Sequence, residues 1–239
     1  MLQLKDISHH FDGLEVLRNI AFNVAEGELL GLIGPNGAGK TTLFNIITGF
    51  VRPQAGRVLF KGGDVTGYST HRLARLGLVR TFQGARTFAN LSVADCLRVA
   101  RYCRIADADH DDELENVLRL LDLDRLADGE ANSLPAGLAR LLGIAMALST
   151  GARLLLLDEP AAGLSAEEID LLQRSLRRLR QAGVTIVVVD HNLHFLMNLV
   201  SRAIVLDAGR LIADGPPQTV TAEPQVIEAY IGGDDLAGD

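Results

Sequence analysis

The segment GLIGPNGAGKTTLFNIITG, residues 31–49, constrains the fold more than any other part of the chain. An apolar run leads to Gly34, and four residues later come Gly39, Lys40 and Thr41, which is the pattern G-x-x-x-x-G-K-[ST] between a strand and a helix. Glycines allow backbone N–H groups to surround phosphate oxygens, and the following helix points its positive end at the same anion. The pattern therefore predicts nucleoside triphosphate binding. The expected contacts are Gly34, Pro35, Asn36, Gly37, Ala38, Gly39, Lys40, Thr41 and Thr42, with Lys40 on the outer phosphates and the Thr41 hydroxyl on Mg²⁺.

A second candidate element is LLLLDEP, residues 154–160. Four leucines predict a buried strand, and Asp158 and Glu159 follow at its carboxyl end, where α/β sheets collect their ligands. A structural turn would show the same pattern. Together with the phosphate-binding loop, however, the pair suggests a metal ligand, Asp158, and a residue that polarises the attacking water, Glu159.

The order of apolar and amphipathic segments predicts the fold class. Buried strands are expected at 28–34, 77–82, 153–159 and 185–191, with amphipathic helices at 111–121 and 167–179 between them. Three further strands near the amino terminus have an antiparallel character, and residues 84–150 have a helical one. We therefore expect a single α/β domain over 1–239 with a mostly parallel central sheet, an N-terminal antiparallel β subdomain, an inserted helical subdomain over 84–150, and a short helix and tail over 224–239.

Composition excludes several classes of protein. The 239 residues carry a formal net charge of −7, which disfavours nucleic acid as a partner. The two cysteines, Cys96 and Cys103, have neither metal-binding nor redox spacing and are expected to be reduced thiols. The longest uncharged run, 141–152, is shorter than the roughly 20 residues that cross a bilayer. A link to a membrane is therefore expected to go through a partner protein.

Four segments resemble ABC-type ATPase domains in order and spacing: GPNGAGKTT, TFQ, LLLLDEPAAGLS and VVDHN. The resemblance implies that Gln83 reaches Mg²⁺ and the attacking water, that His191 contacts the γ-phosphate of ATP, and that Phe11 stacks on adenine. Residues 162–165 fall at the loop that touches a second subunit. Each residue also has a structural alternative: Gln83 as a polar strand end, His191 as a structural histidine, and Phe11 as a core residue. A metal pair of His191 with His194 is rejected, because a nucleotide site already explains the region.

The same family has a signature loop, typically L-S-G-G-Q, that closes over the ATP of a second subunit. Its place is taken here by Leu134, Pro135, Ala136, Gly137 and Leu138. Proline lacks the serine hydroxyl and a backbone N–H, and leucine replaces the glutamine, so the contribution to a partner's ATP is expected to be weakened. The alternative is that this stretch is only the start of a helix, for which proline is well suited.

The resemblance narrows further toward the ATPase subunits of branched-chain amino acid and urea-type importers, through residues 69–97, DEPAAGLS, and PQVIEAYIGG at 224–233. It implies an ATP-hydrolysing subunit, with ATP and Mg²⁺ as cofactors, that powers a membrane importer. Implied partners are integral membrane permease subunits, a second ATPase subunit in a homo- or heterodimer and, indirectly, a solute-binding protein. The resemblance also implies that the protein is located at the cytoplasmic face of the inner or plasma membrane.

Two points stay open in this reading. The alternative function is that of a soluble ABC ATPase not coupled to transport. A nucleotide-binding regulator that does not hydrolyse ATP is disfavoured, because Glu159 and His191 are both present. The second point concerns an arginine cluster near Gln83, which is either a solvated face or a contact with the membrane partner. Its members are Arg72, Arg75, Arg80 and Arg86.

Overall fold

Two β-sheets form the frame of the chain in the computed structural model, which describes residues 1–81, 90–102 and 111–231. The strands of the described residues are β1 (Leu2–Phe11), β2 (Leu14–Val24), β3 (Leu29–Ile33), β4 (Ala55–Phe60), β5 (Gly63–Asp64), β6 (Leu78–Thr81), β7 (Leu154–Asp158), β8 (Thr185–Val189), β9 (Arg202–Asp207) and β10 (Arg210–Gly215). The first sheet is antiparallel, in the order β2-β1-β4-β5. The second has the order β10-β9-β3-β8-β7-β6, with β10 antiparallel and the other five strands parallel.

The helices of the described residues lie mainly between these strands. They are α1 (Lys40–Ile47), α2 (Thr70–Arg75), α3 (Val93–Tyr102), α4 (Asp111–Leu120), α5 (Ala136–Ser149), α6 (Ala166–Gln181), α7 (Leu193–Leu199), α8 (Pro217–Val220) and α9 (Pro224–Ile231). In the described residues, no helix combines the length and apolar character needed to span a membrane.

The larger sheet is buried on both faces. Alternate leucines of β7 belong to different cores: Leu155 and Leu157 pack with α5, α6 and α7, whereas Leu154 and Leu156 pack with α1 and the antiparallel sheet. A strand covered on both faces must be apolar at every position, which explains the unbroken leucine run in the sequence. The two cores hold the parallel strands in place, and their carboxyl ends therefore form a fixed edge.

The fold class predicted from the sequence is confirmed, and the four predicted buried strands appear as β3, β6, β7 and β8. The hairpin β9–β10 was not anticipated, because charged residues at 202, 207, 210 and 214 break up its apolar pattern. In α6, Leu172, Leu176 and Leu179 are buried as predicted, whereas Ile169 is only partly buried. Cys96 is buried, while Cys103 lies outside the described residues.

Candidate nucleotide-binding site

Three chemically distinct segments meet at the carboxyl edge of the parallel sheet. The strand β3 leads into the phosphate-binding loop, β7 ends at Asp158, and β8 is followed by Asp190 and His191. The strand order β3-β8-β7 places the loop and the acidic pair on the two sides of β8. Parallel strands bring their carboxyl ends to one edge, and ligands of α/β proteins bind there. The sequence prediction that these segments cooperate is consistent with this placement.

Backbone conformation explains why the loop contains glycine at two positions. Gly34 has a φ of 151°, and a Cβ atom there would lie 2.1 Å from the carbonyl oxygen of Leu206. Gly39 has a φ of 99°, and its Cβ would lie 2.8 Å from Cδ2 of Leu17. Any other residue would therefore clash or be strained at both positions. The two glycines keep the loop tight between β2 and β9.

Gly39 is the N-cap of α1, and no side chain of the described residues caps this helix. The first-turn N–H groups of an uncapped helix are donors for an anion, and the helix dipole adds to their attraction. Lys40 is the first residue of this helix, and its Nζ donates to the carbonyl oxygens of Gly34 at 2.5 Å and Pro35 at 2.8 Å. The exposed Thr41 belongs to the same turn. The uncapped N–H groups and the Lys40 ammonium group match a triphosphate in charge and in hydrogen-bonding capacity.

The donor set also fits Mg²⁺. The Thr41 hydroxyl and the Asp158 carboxylate are hard oxygen ligands, and Mg²⁺ is usually bound by one or two such groups together with substrate phosphates and water. No cluster of three or more histidine, cysteine or acidic side chains was found among residues 1–81, 90–102 and 111–231. A magnesium ion held partly by phosphates does not need such a cluster.

Glu159, predicted to polarise the attacking water, and His191, predicted to contact the γ-phosphate, lie close together. Nδ1 of His191 is 3.8 Å from Oε1 of Glu159. Glu159 has an unusual positive φ of 46°, and its backbone N–H donates to the carbonyl oxygen of Val189 at 2.7 Å. This bond ties the turn after β7 to the end of β8. Both side chains are partly exposed, Glu159 at 37% and His191 at 66%, so both are accessible to substrate and water.

Asp190 is a positioning residue that the sequence analysis missed. Its side chain is fully buried, and its carboxylate accepts hydrogen bonds from the backbone N–H groups of Ala161 and Asn192, both at 2.9 Å. It therefore connects the segment that follows Glu159 with the segment that carries His191. The available signal was its place directly after the apolar strand β8.

Asp158 is held by Arg80, which corrects the prediction for the arginine cluster. The Arg80 side chain is only 8% exposed, and it donates to Oδ2 of Asp158 at 2.5 Å and to Oδ1 of Asn45 at 2.7 Å. Its guanidinium also lies 5.7 Å from the Phe44 ring centre. Arg80 is thus part of the site and not of a solvated face. A partly buried carboxylate at the strand end attracts a cation, and the sequence pattern did not show which one.

Other members of that cluster behave as predicted for a surface. Arg72 is exposed, with its guanidinium stacked 3.5 Å from the Tyr68 ring centre, and Arg75 is exposed as well. Arg86 and Gln83 lie outside the described residues. The role of Gln83 therefore stays a prediction.

Phe11 lies at the end of β1 with 48% of its surface exposed. It is therefore not a core residue, and its ring is accessible for stacking. The side-chain amide of Gln54 brackets the neighbouring residue: it accepts from the His10 N–H at 2.6 Å and donates to the His10 carbonyl at 3.1 Å. The end of β1 is fixed in this way.

The segment 134–138 does begin a helix. Pro135 is the N-cap of α5 and supplies no side-chain cap. The missing cap is replaced from α6, because Oε1 of Glu168 accepts a hydrogen bond from the Gly137 N–H at 2.7 Å. A Cβ atom at Gly137 would lie 2.9 Å from Cβ of Glu168, so the glycine is required by this contact. The role of residues 134–138 toward the ATP of a second subunit stays a prediction.

Glu168 was not singled out in the sequence, although Ser165 and Glu168 have the spacing of a capping box. The box is present: Glu168 N–H donates to Ser165 Oγ at 3.3 Å, and Ser165 N–H donates to Glu168 Oε2 at 3.0 Å. The hydrogen bonds from the backbone N–H groups of Ser165 and Gly137 lower the pKa of Glu168. One carboxylate thus connects the segment 162–165 with the segment 134–138.

Comparisons with known proteins agree with this geometry. Residues 17–162 match the family model described as ABC transporter, and residues 210–235 match the model described as branched-chain amino acid ATP-binding cassette transporter. The chain belongs to the ABC transporter ATP-binding family, whose members hydrolyse ATP to power transport. This confirms the family predicted from the sequence.

Individual relatives cover nearly the whole chain. The high-affinity branched-chain amino acid transport ATP-binding protein BraF of Pseudomonas aeruginosa is 33% identical over 97% of this chain and 98% of its own length. The lipopolysaccharide export system ATP-binding protein LptB of Acidithiobacillus ferridurans is 35% identical, with 97% of each chain covered. A solved structure of the ADP conformation of MJ1267, an ATP-binding cassette of an ABC transporter, has a TM-score of 0.87 and 29% identity, and covers 97% of this chain and 98% of that one.

Proposed function

We propose that this chain binds Mg–ATP at residues 34–42 and hydrolyses it with Glu159 and His191 to power a membrane importer. The observation that carries the proposal is the meeting of the phosphate-binding loop, the acidic pair and His191 at one edge of the sheet. In this proposal Lys40 would bind the outer phosphates, Thr41 and Asp158 would hold the metal, and Gln83 would reach Mg²⁺ and the attacking water. When bound, Mg²⁺ neutralises charge that develops on the phosphates.

The proposed chemistry assigns one task to each side chain. Glu159 orients the attacking water and polarises it, and His191, 3.8 Å away, contacts the γ-phosphate. Asp190 keeps the two segments in register through its hydrogen bonds to Ala161 and Asn192. Phe11 stacks on adenine, as its exposed ring at the end of β1 allows.

A glutamine substitution at Glu159 tests this assignment. We expect Glu159→Gln to retain ATP binding while hydrolysis falls by at least about a hundredfold, since positioned general bases contribute on the order of 10²–10⁴ to the rate. Glu228→Gln, on the exposed side of α9, is the matched control and should behave as the wild type. Unchanged hydrolysis in Glu159→Gln would contradict the assignment.

We further propose that membrane permease subunits are partners and that they dock beside α2. A cavity of about 300 Å³ lies there, and its walls include Phe50, His71, Ala74 and Arg80. Phe50 is 55% exposed, and the two arginines of α2, Arg72 and Arg75, are exposed as well. An apolar cavity beside a helix that carries exposed arginines fits a short permease helix with an apolar face and acidic flanks. Through such a partner the chain would sit at the cytoplasmic face of the membrane.

The proposed cargo is a branched-chain amino acid or a related small polar solute. Identity alone does not decide this, because LptB and BraF are about equally similar to the chain. The match of residues 210–235 to the branched-chain amino acid family model favours the amino acid importers. Uptake of labelled leucine by vesicles that contain the purified complex would support the proposal. The proposal would be contradicted if the complex hydrolysed ATP but no amino acid, added together with a binding protein, stimulated that hydrolysis.

A second ATPase subunit is the remaining proposed partner. In a head-to-tail pair, residues 134–138 would close over the partner's nucleotide, and residues 162–165 would touch the partner subunit. The contribution of residues 134–138 would be weakened, because Pro135 and Leu138 replace serine and glutamine. Restoring Pro135→Ser and Leu138→Gln in the assembled complex should raise ATP turnover. Unchanged turnover would show that Pro135 and Leu138 do not weaken ATP hydrolysis at the partner's site.

A further inference from the structure

His9 occupies a place in β1 where an apolar residue is expected. The strand points Leu2, Leu4 and Ile7 into the core, and His9 continues this row with only 7% of its surface exposed. Neither ring nitrogen of His9 has a hydrogen-bond partner among the residues that the structure describes. A buried polar group without a partner lowers stability, so such groups in folded proteins call for an explanation.

The surroundings of the His9 imidazole favour its neutral form. Desolvation by burial lowers its pKa below the usual value, and the nearby charge of His10 lowers this pKa further. A neutral imidazole is a small aromatic ring. It can therefore make the directional contacts that aromatic rings make, which an aliphatic side chain at the same place cannot.

Such a contact is present. The rings of His9 and Phe11 lie edge to face, with centres 4.5 Å apart and an angle of 79° between their planes. Residues 9 and 11 lie on the same side of the strand, and the hydrogen bonds of Gln54 to the His10 backbone fix the strand there. The buried ring thus supports one side of a ring whose other parts are exposed.

This ring pair lies next to the phosphate-binding loop. His9 is in register with Leu17 of β2, and Leu17 is the residue whose Cδ2 a Cβ atom at Gly39 would meet at 2.8 Å. One strand therefore separates the ring pair from the start of α1. A nucleotide whose phosphates bind at α1 could reach the exposed part of Phe11 with its base.

We propose that His9 is a positioning residue for the nucleotide base, because its buried ring fixes the orientation in which Phe11 stacks on adenine. This inference rests on the proposed role of Phe11. An edge-to-face contact contributes on the order of a threefold to tenfold change in an equilibrium constant, so loss of the contact should weaken base binding by that factor. The phosphates are bound elsewhere, and their affinity should not change.

The test compares Mg–ATP and Mg–tripolyphosphate binding by calorimetry in four variants: His9→Leu, His9→Phe, Phe11→Ala and the exposed control His10→Leu. We expect His9→Leu to raise the Kd of ATP about threefold to tenfold, to leave the Kd of tripolyphosphate unchanged, and to raise the Tm because a buried group without a partner is removed. His9→Phe retains an aromatic ring and should keep ATP binding near that of the wild type. His10→Leu should leave the Kd values of both ATP and tripolyphosphate unchanged.

The outcomes separate this inference from the proposed function. If Phe11→Ala weakens ATP binding but His9→Leu does not, His9 has no positioning role, while the proposed function stands. If His9→Leu weakens both ligands equally, or if His9→Phe fails to restore ATP binding, the specific contact is also refuted. If Phe11→Ala leaves ATP binding unchanged, the stacking role of Phe11 is wrong and the inference fails with it.

Discussion

Removal of the Arg80 side-chain charge should destabilise the fold, because it leaves the Asp158 carboxylate without its cation. Arg80 is 8% exposed and Asp158 is 24% exposed. Breaking a buried ion pair on one side costs about 3–5 kcal/mol. Since a quarter of the Asp158 side chain reaches water, we expect Arg80→Met to lower the free energy of unfolding by a smaller amount, about 2–4 kcal/mol. Methionine is unbranched and apolar, so it removes the charge and the hydrogen bonds while filling part of the same space.

The assay is urea unfolding followed by circular dichroism, without nucleotide. Arg72→Met is the matched control, since its guanidinium is exposed, where it stacks on the Tyr68 ring and donates to the Tyr68 hydroxyl at 2.9 Å, and we expect the substitution to cost about 1 kcal/mol or less. The double variant Arg80→Met with Asp158→Asn should recover part of the loss, because the unpaired charge is gone. If Arg80→Met is no less stable than Arg72→Met, the ion pair does not stabilise this site.

Three further predictions address other parts of the site. Gly34→Ala should abolish detectable ATP binding, because its Cβ would lie 2.1 Å from the Leu206 oxygen; normal titration heats in a calorimeter would contradict this. Glu168→Ala removes the substitute cap of α5 and the capping box of α6, so it should lower the free energy of unfolding by about 1–2 kcal/mol in urea denaturation. In the same assay Glu167→Ala, at the exposed neighbouring position, should change this free energy far less. The third prediction concerns pH: because the pKa of His9 is lowered on folding, the unfolded chain binds more protons, so stability relative to His9→Leu should fall as pH drops below about 6.5 and level off below the lowered pKa. An equal Tm difference between these two proteins at pH 5 and pH 7.5 would refute it.

Much of the fold could be predicted from local patterns. The phosphate-binding loop and the leucine run of β7 are signals contained in a few consecutive residues, and both the strand–loop–helix unit and the two-sided core follow from them. The hairpin β9–β10 escaped prediction because its strands are interrupted by charged residues, and these find partners only in the folded chain. Arg202, for example, pairs with Asp214 at 2.6 Å and with Glu28 at 3.1 Å.

Residues of the candidate site could be predicted where a short sequence motif contains them. They could not be predicted where the contact joins residues that are far apart in the sequence. Lys40, Glu159 and His191 have recognisable local patterns. The contacts of Arg80 with Asp158 and of Glu168 with Gly137 join residues 78 and 31 positions apart, and no local pattern announces them. Burial of His9 depended on the register of β1, which a bulge near Asp6 shifts.

Calorimetric titration of the purified chain with ATP and Mg²⁺ tests the nucleotide site most directly, with Lys40→Ala as the comparison. One ATP should bind per wild-type chain. Lys40→Ala should bind at least about tenfold more weakly, since a hydrogen bond to a charged group contributes about 1.5–3 kcal/mol. A wild-type protein that is folded but binds no Mg–ATP, or a Lys40→Ala variant that binds as tightly as the wild type, would contradict the assignment of residues 34–42 as the phosphate-binding site.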